Sequence, residues 1–223
     1  MRRPRPRIEP AAAARFSSAI RGWFRKRGRK LPWRDTRDPY RVLVSEAMLQ
    51  QTPVSRVLDF YEPFLDRFPT LDSLANARPR QVRESWEGLG YYARARNLHT
   101  LSRRVDGVLP SEPTSLRALP GVGEYTAGAI ASFAFEQRAA LVDTNVARVL
   151  RRVFAPRADF KSARGRKRLW AVAEALLPRT GSATWTHNQG IMELGALVCT
   201  ARIAHCGSCP VTQLCATGRK HQP

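Results

Sequence analysis

The stretch LRALPGVGEYTAGAI, residues 116–130, decides the fold of this chain. It predicts a helix that ends at Pro120, a tight turn over Gly121 and Gly123, and a second helix that begins near Tyr125. The two glycines allow positive φ and leave backbone N–H groups uncovered at a helix N-terminus, where the dipole favours an anion. Such a turn can bind a phosphate without reading base sequence. An ordinary corner between two helices also uses Gly-x-Gly, so both interpretations stay open on this stretch alone.

Helical spacing of apolar residues continues on both sides of the hairpin. Near the N-terminus the spaced residues are Phe16, Ile20, Trp23 and Phe24. Asp38-Pro39 and Thr52-Pro53 each predict a helix start, in which a capping residue is followed by proline. Further helices are predicted over residues 80–87, 91–106, 114–119, 125–135, 144–154, 165–177 and 185–198. The only strand-like run, residues 139–142, is short, so we predict an all-α fold.

The chain is strongly basic. Its 223 residues include 38 Lys and Arg against 18 Asp and Glu, a formal net charge of +20. Such a charge is typical of proteins that bind DNA or RNA, although a solvated arginine-rich surface is the alternative. The first ten residues, MRRPRPRIEP, lack the apolar core of a signal peptide, and no stretch reaches the roughly 18 apolar residues of a membrane span. We expect a basic N-terminal arm, no membrane association and a cytoplasmic location, nucleoid-associated if the source is bacterial.

All four cysteines lie in the last 25 residues, with the spacing C-x6-C-x2-C-x5-C over Cys199, Cys206, Cys209 and Cys215. Two disulfides are not expected in a reducing compartment, so the spacing favours a metal site. Structural zinc usually takes two close pairs, and this segment offers one. Four thiolates on unequal arms suit a [4Fe–4S] cluster, with zinc or no metal as alternatives. Positive charge around the cluster is predicted from Arg202, His205 and Arg219.

The hairpin and the cysteines together resemble the helix-hairpin-helix DNA glycosylase superfamily from about Leu31 to Cys215, and within it the adenine DNA glycosylase (MutY) family. The motifs that carry the resemblance are LPWR (31–34), SEAMLQQT (45–52), GLGYYARARNLH (88–99), LPGVGEYTAGAI (119–130) and VDTNVARV (142–149). The resemblance implies two helical lobes with a DNA-binding cleft and a C-terminal [4Fe–4S] loop. Residues 30–140 would form a six-helix lobe with the hairpin. A basic arm and helix over 1–29 would join residues 141–223 in the cluster lobe.

Breaking an N-glycosidic bond needs a proton for the departing base and stabilisation of a cationic sugar. Glu46 lies among apolar residues of a predicted helix, where burial would raise its pKa and keep a proton available. Asp143 precedes a helix, where the dipole favours its ionised form. Taken alone, a surface glutamate and a plain helix cap are the alternatives. The resemblance implies that Glu46 protonates adenine and activates water, that Asp143 stabilises the cation, and that Asn145 hydrogen-bonds nearby.

Other residues take implied roles from the same resemblance. The lyase branch of the superfamily carries a lysine where this chain has Tyr125, so we expect a monofunctional enzyme with Tyr125 assisting at the sugar. Gln51 would wedge into the duplex, and Tyr91 would pack beside the opposite base. The remaining base-pocket and DNA-binding residues are Trp33, Arg34, Leu49, Gln50, Gly121, Gly123 and Glu193. Core packing is the alternative for Trp33 and Leu49, and a helix-start aromatic for Tyr91.

The resemblance implies base excision repair by a monomer that acts on double-stranded DNA and excises adenine mispaired with guanine or 8-oxoguanine. Members of the adenine family usually continue into a domain that recognises 8-oxoguanine. Only eight residues follow Cys215, so we expect this chain to lack that domain. The length and Tyr125 also fit a G·T or G·U mismatch thymine or uracil glycosylase. A noncatalytic iron–sulfur DNA-binding module is the alternative of a different class.

Overall fold

The structure is a computed structural model that describes residues 8–218. Over that range the chain forms eleven α-helices: α1 Pro10–Arg27, α2 Pro39–Leu49, α3 Val54–Arg67, α4 Leu71–Ala75, α5 Pro79–Glu84, α6 Ala93–Ser102, α7 Pro113–Arg117, α8 Glu124–Phe133, α9 Thr144–Phe154, α10 Ala163–Leu176 and α11 Gly181–Leu197. Short 3₁₀ helices add Pro32–Arg34, Cys206–Ser208 and Thr212–Leu214. Within residues 8–218 the β geometry is limited to an isolated bridge between Cys199 and Ala204. The all-α prediction is confirmed.

Two expectations fall partly or wholly on residues that the structure does not describe. Residues 1–7 of the predicted basic arm and Arg219 lie outside the described range.

Among residues 8–218, no helix is both long and apolar enough to cross a membrane.

The capping residues explain where several helices begin. The Asp38 carboxylate accepts a hydrogen bond from the backbone N–H of Arg41 at 2.9 Å, which confirms the predicted start of α2. The same prediction for Thr52 is wrong, because α3 begins at Val54 with Pro53 as its N-cap and no side-chain cap. The Thr52 hydroxyl instead accepts a hydrogen bond from Arg94 at 3.0 Å. A tertiary partner therefore replaces the local cap.

The chain divides into two compact units. One unit, the terminal unit, combines the described residues up to Lys30 with those from Glu136 onward. Within it α11 packs against α1 and α9, and α10 packs against the same two helices. Two glycines of α11 permit this close approach. A Cβ on Gly190 would lie 2.6 Å from Ile20 of α1, and a Cβ on Gly195 would lie 2.7 Å from Asn145 of α9.

The other unit, the central unit, covers Leu31–Phe135. Its middle helix is α2, which packs against α3, α6 and α8. The hairpin helices α7 and α8 pack against each other, and α4 and α5 lie against α6. Because α2 has neighbours on several sides, every residue from Val42 to Met48 is buried. A side chain in this stretch is therefore shielded from solvent whichever way it points.

Candidate active site and cysteine centre

Glu46 lies in the middle of the buried stretch of α2. Its exposed fraction is 3%, which is unusual for a glutamate. The structure thus confirms the predicted burial and excludes a surface-facing glutamate. The carboxyl group is therefore shielded from bulk solvent by the helices around α2. Its role as an acid stays a prediction.

Asp143 is the N-cap of α9. Its carboxylate accepts hydrogen bonds from the backbone N–H of Val146 at 2.6 Å and from the side-chain amide of Asn145 at 3.1 Å. Burial raises the pKa of Asp143, while these hydrogen bonds and the charge of Arg148 act in the opposite direction. From the sequence, the helix dipole alone predicts that the ionised form of Asp143 is favoured. The structure adds desolvation, which is the larger effect on the pKa.

Arg148 connects this cap to the beginning of the cysteine segment. Its Nη2 donates to the Oδ1 of Asn145 and to the carbonyl of Gly195, both at 2.6 Å. Its Nε donates to the carbonyl of Cys199 at 2.7 Å. A continuous hydrogen-bonded chain therefore runs from Asp143 through Asn145 and Arg148 to a cysteine.

The hairpin between α7 and α8 has the predicted geometry. Gly121 has a φ of +77°, and a Cβ there would lie 2.8 Å from Asn97. Gly123 is the N-cap of α8, where no side chain caps the helix and a Cβ would meet only open space. Gly121 is thus required by the fold, whereas Gly123 leaves the approach to the helix N-terminus open. Tyr125 is the second residue of α8 and is half-buried.

Gln51 and Tyr91 share a feature that the sequence did not reveal. Both have positive φ, 58° and 47°, which is uncommon for residues other than glycine. Both side chains are exposed, and the exposed fraction of Tyr91 is 60%. Gln50, the C-cap of α2, and Leu49 before it are half-buried. The structure therefore presents both side chains to solvent from turns with a strained backbone, and Glu136 is a third exposed residue with positive φ, at 48°. Insertion of Gln51 and Tyr91 into DNA stays a prediction.

Of the other predicted pocket residues, Trp33 is buried and makes an edge-to-face contact with Tyr61 at 5.3 Å, so it contributes to the core of the central unit. Arg34 beside it is half-buried. Glu193 lies in α11 of the terminal unit, with an exposed fraction of 1%. Both of its carboxylate oxygens accept from the Arg29 guanidinium at 2.8 Å. A base that hydrogen-bonds Glu193 would have to share these oxygens with Arg29.

The four cysteines line one cavity of about 180 Å³ in the terminal unit. Each of them is half-buried and carries a free thiol. Within the described range, no three His, Cys, Asp or Glu side chains form a group spaced to hold a metal ion. All four thiols open onto this one cavity, so the residues present could supply the four sulfur ligands of a cubane cluster.

Basic residues surround this cavity. Arg202 and His205 line it, as predicted, and so does Arg152, which the sequence argument did not single out. The Nη1 of Arg152 lies 3.2 Å from the Sγ of Cys199. Burial, with a smaller contribution from the other three cysteines, raises the pKa of Cys209 to about 11. The Cys209 thiol is therefore protonated at neutral pH without a metal, and binding one there would release its proton.

Comparison with known protein families identifies the superfamily of this chain. The description "HhH-GPD superfamily base excision DNA repair protein" matches residues 44–174, more than half of the chain. The chain belongs to the HhH-GPD superfamily. The matched residues include Glu46, Tyr125 and Asp143 and end before the cysteines, so the cysteine centre is not covered by this match.

Relatives within the HhH-GPD superfamily include adenine DNA glycosylases. The one from Homo sapiens is 43% identical over 218 residues, which cover 92% of this chain and 40% of the human protein. The one from Mycobacterium tuberculosis strain H37Rv is 44% identical over 194 residues, which cover 85% of this chain and 63% of that protein. This chain therefore spans 40% to 63% of the length of these two relatives.

Solved structures support the same fold. A thermostable thymine-DNA glycosylase superposes with a TM-score of 0.85 at 31% identity, over 94% of this chain and 98% of that chain. Endonuclease III in a trapped covalent intermediate with DNA superposes with a TM-score of 0.77 at 23% identity, over 96% and 99%. At that identity the second likeness concerns the HhH-GPD fold alone.

The HhH-GPD motifs were identified from the sequence, but four arginines that make tertiary hydrogen bonds around these sites were not predicted. They are Arg29, Arg94, Arg148 and Arg152. Two of these, Arg94 and Arg148, lie inside the quoted motifs, and this was the only available signal. In a chain with 38 Lys and Arg, no single arginine stands out by composition.

Proposed function

We propose that this protein is a monofunctional DNA glycosylase of base excision repair, which flips adenine mispaired with guanine or 8-oxoguanine out of duplex DNA and hydrolyses its N-glycosidic bond. The observation that carries this proposal is the buried carboxyl group of Glu46 inside a chain whose relatives are adenine DNA glycosylases at 43% and 44% identity. The same proposal includes a cytoplasmic location, with access to the cell's DNA, and action as a monomer.

Glu46 would supply the proton. A neutral carboxylic acid can donate to a ring nitrogen of adenine, which makes the base a better leaving group as the bond to the sugar lengthens. Once the base has gone, the resulting carboxylate can accept a proton from the attacking water. Burial in α2 supports this role, because it keeps bulk water away from the carboxyl group before the base arrives.

Asp143 would act on the sugar. An ionised carboxylate stabilises the positive charge that develops as the base departs. The hydrogen bonds from Val146 and Asn145 favour that ionised form against the opposing effect of burial. Tyr125 has no amine with which to form a Schiff base, so the product would be an abasic site in an intact strand.

The hairpin and the two strained turns would bind the DNA. The α8 N-terminus at Gly123 suits a phosphate, and the net charge of +20 favours any duplex. Gln51 and Tyr91 would enter the helix where the adenine leaves it. Trp33, Arg34, Leu49 and Glu193 would contact the flipped base.

We also propose that Cys199, Cys206, Cys209 and Cys215 hold a [4Fe–4S] cluster. The shared cavity of about 180 Å³ and the hydrogen bond from Arg152 to Cys199 support it. The cluster would supply four iron–thiolate bonds that cross-link the C-terminal segment. Arg152, Arg202 and His205 would offset its negative charge.

The test of the function is single-turnover excision with duplexes that carry A·G, A·8-oxoguanine, G·T or G·U. We expect adenine release and abasic sites that break only after alkali. Glu46→Gln should lower the rate at least 1,000-fold, by loss of the proton donor. The matched control is Glu62→Gln, since half of the Glu62 side chain is exposed on α3. Intact adenine-containing duplexes at stoichiometric enzyme would refute the proposal.

A second candidate is excision of thymine or uracil from mismatches with guanine. It is favoured by the likeness to a thermostable thymine-DNA glycosylase, because this chain covers 98% of that protein but at most 63% of the two adenine glycosylases compared above. The same four duplexes decide between the two. Release from G·T or G·U with both adenine duplexes intact would select this candidate.

The cluster has its own test. The purified protein should contain about four irons per chain and absorb broadly in the visible range. Cys209→Ser should lose both signals. Gly207→Ala is the control, because its new methyl group would meet only open space. One zinc per chain without visible absorption would exclude the cluster and leave the glycosylase proposal intact.

A further inference from the structure

Arg94 is a buried arginine whose contacts reach several segments of the central unit that are proposed to bind DNA. Its exposed fraction is 8%, and it has no carboxylate among its hydrogen-bond partners. The guanidinium instead donates to five backbone carbonyls and one hydroxyl, at distances of 2.5 to 3.1 Å. A buried guanidinium that donates to backbone carbonyls at the end of α2 and in the turn before Tyr91 restrains the backbone at both places.

The two terminal nitrogens of Arg94 hold two different turns. The Nη1 donates to the carbonyls of Ala47, Met48 and Gln50, at the C-terminus of α2. The Nη2 donates to the carbonyls of Leu89 and Gly90 and to the Thr52 hydroxyl. The Nη1 partners end one residue before Gln51, and the Nη2 partners include the residue before Tyr91 and the residue after Gln51. Gln51 and Tyr91 both have a positive φ and an exposed side chain.

The guanidinium also touches the aromatic part of the second turn. It lies over the Tyr91 ring at 5.4 Å and over the Trp86 ring at 5.5 Å. The Trp86 indole in turn donates to the carbonyl of Gly90 at 3.2 Å. The strained backbone at Tyr91 is therefore held from both sides, which is the condition under which a residue other than glycine keeps a positive φ.

The hairpin lies against the same helix. Arg94 lines a small cavity of about 20 Å³ together with Gln50, Gly121 and Val122. One turn further along α6, Asn97 packs so closely on Gly121 that a Cβ there would lie 2.8 Å away. Thus α6 contacts the turn of Gln51 and the turn of Tyr91 through Arg94, and the hairpin through Asn97.

We propose that Arg94 is a positioning residue that presets the turns of Gln51 and Tyr91 for insertion into DNA before the DNA is bound. The inference rests on the proposed function for the statement that these two side chains insert. If the two turns became ordered only on binding, the loss of conformational entropy would weaken base flipping. A turn that is already ordered in the free protein avoids that entropy loss. Arg94 does not touch the reacting atoms and acts only through the two turns.

Arginine suits this task better than lysine. Its planar fork presents donors in fixed directions, whereas a lysine ammonium has three donors at one point. Arg94→Lys therefore keeps the charge and loses most of the six contacts. Arg96→Lys is the matched control, because Arg96 lies two residues away on the exposed side of α6.

The first measurement is amide hydrogen exchange on the free protein, which needs no activity. Arg94→Lys should speed exchange at least tenfold at residues 50–52 and 89–91, while α8 and α9 stay within twofold of the unsubstituted protein. Arg96→Lys should leave all of these unchanged. Unaltered exchange at both turns in Arg94→Lys would overturn the proposal, and so would equal acceleration throughout the central unit.

The second measurement compares two substrates under single-turnover conditions. Excision from a duplex should fall at least tenfold in Arg94→Lys. Excision of the same base from a three-nucleotide bubble, where no stacked base must be displaced, should fall less than threefold. A loss of equal size on both substrates would mean a general structural defect and refute the positioning role. If the unsubstituted protein excises no base at all, the proposed function fails, while the exchange result still decides whether Arg94 orders the turns.

Thr52→Val tests the same idea if Arg94→Lys does not fold. It removes one of the six partners, the hydroxyl that accepts from Nη2, and keeps a similar shape. We expect a two- to fivefold increase in exchange at residues 50–52 and a two- to fivefold fall in duplex excision, with bubble excision unchanged. A fall on the bubble as large as on the duplex would count against the proposal.

Discussion

The Nη2 of Arg148 lies 2.6 Å from the Oδ1 of Asn145, and this bond fixes which way the Asn145 amide points. With its oxygen engaged by Arg148, the amide directs its nitrogen to the Asp143 carboxylate at 3.1 Å. The same guanidinium donates to the carbonyl of Cys199. The orientation of a proposed catalytic carboxylate is thus set by an arginine that also holds the first cysteine.

Arg148→Lys should therefore break the series of hydrogen bonds that links Asp143 to Cys199. A lysine cannot donate to Asn145, Gly195 and Cys199 in the directions that the fork reaches. We expect the single-turnover excision rate to fall at least tenfold while the dissociation constant for DNA changes less than threefold. Arg151→Lys, on the exposed side of the same helix, is the control and should change neither. An unchanged rate in Arg148→Lys would show that Asn145 keeps its orientation without the arginine.

The pKa of Asp143 predicts the acid side of the pH–rate profile. Burial raises this pKa, and the hydrogen bond from Asn145 lowers it. Activity that needs the ionised carboxylate is present above the pKa and lost as pH falls through it. Asn145→Ala removes a lowering contribution, so the acid limb of the single-turnover rate should move to higher pH. Profiles from pH 4.5 to 8.5 for both proteins measure the shift, and a shift to lower pH would contradict the assignment.

The ion pair between Arg29 and Glu193 should be worth more than a surface pair. Glu193 is 1% exposed and Arg29 is about one-third exposed, with both carboxylate oxygens engaged. Breaking a buried pair costs about 3 to 5 kcal/mol, and access of solvent to Arg29 should reduce this to about 2 kcal/mol for Arg29→Met, measured by urea unfolding. Arg41→Met, which breaks an exposed pair with Glu62, should cost less than about 1 kcal/mol. Equal costs would place Glu193 in a more polar environment than its burial indicates.

The sequence predicted those parts of the fold that depend on local signals. The limits of α9 at 144 and 154 follow from Asp143 as a cap and from a stripe of buried valines and Leu150. The short helix α4, Leu71–Ala75, was missed because five residues are too few for periodicity. Its signal was the reciprocal cap of Thr70 and Ser73, which the sequence argument did not use.

The site was predicted to a similar extent, and for the same reason. Burial of Glu46 was expected from its apolar neighbours together with the family motif, since a surface position stayed open on the sequence alone, and the cap at Asp143 was expected from its place before a helix. The contacts of Arg94 and Arg148 join residues up to 51 positions apart. No local pattern encodes which carbonyls will meet a guanidinium, so these contacts emerge only when the helices are packed. Thr52 was misassigned for this reason, since its hydroxyl serves a distant arginine rather than the nearest helix.

A buried histidine should make the stability of the terminal unit depend on pH. Burial lowers the pKa of His187 to about 3, with a smaller contribution from Arg21. The unfolded chain binds the proton near pH 6.5 and the folded chain does not, so the stabilisation is present above that pH and is lost as the pH falls below it. Between pH 7.5 and 5.5 this group should reduce the free energy of unfolding by about 1.4 kcal/mol. His187→Gln should abolish that part of the pH dependence in urea unfolding, whereas Thr186→Ala on the same helix should retain it. A slope that is the same in all three proteins would mean that His187 is protonated in the folded state.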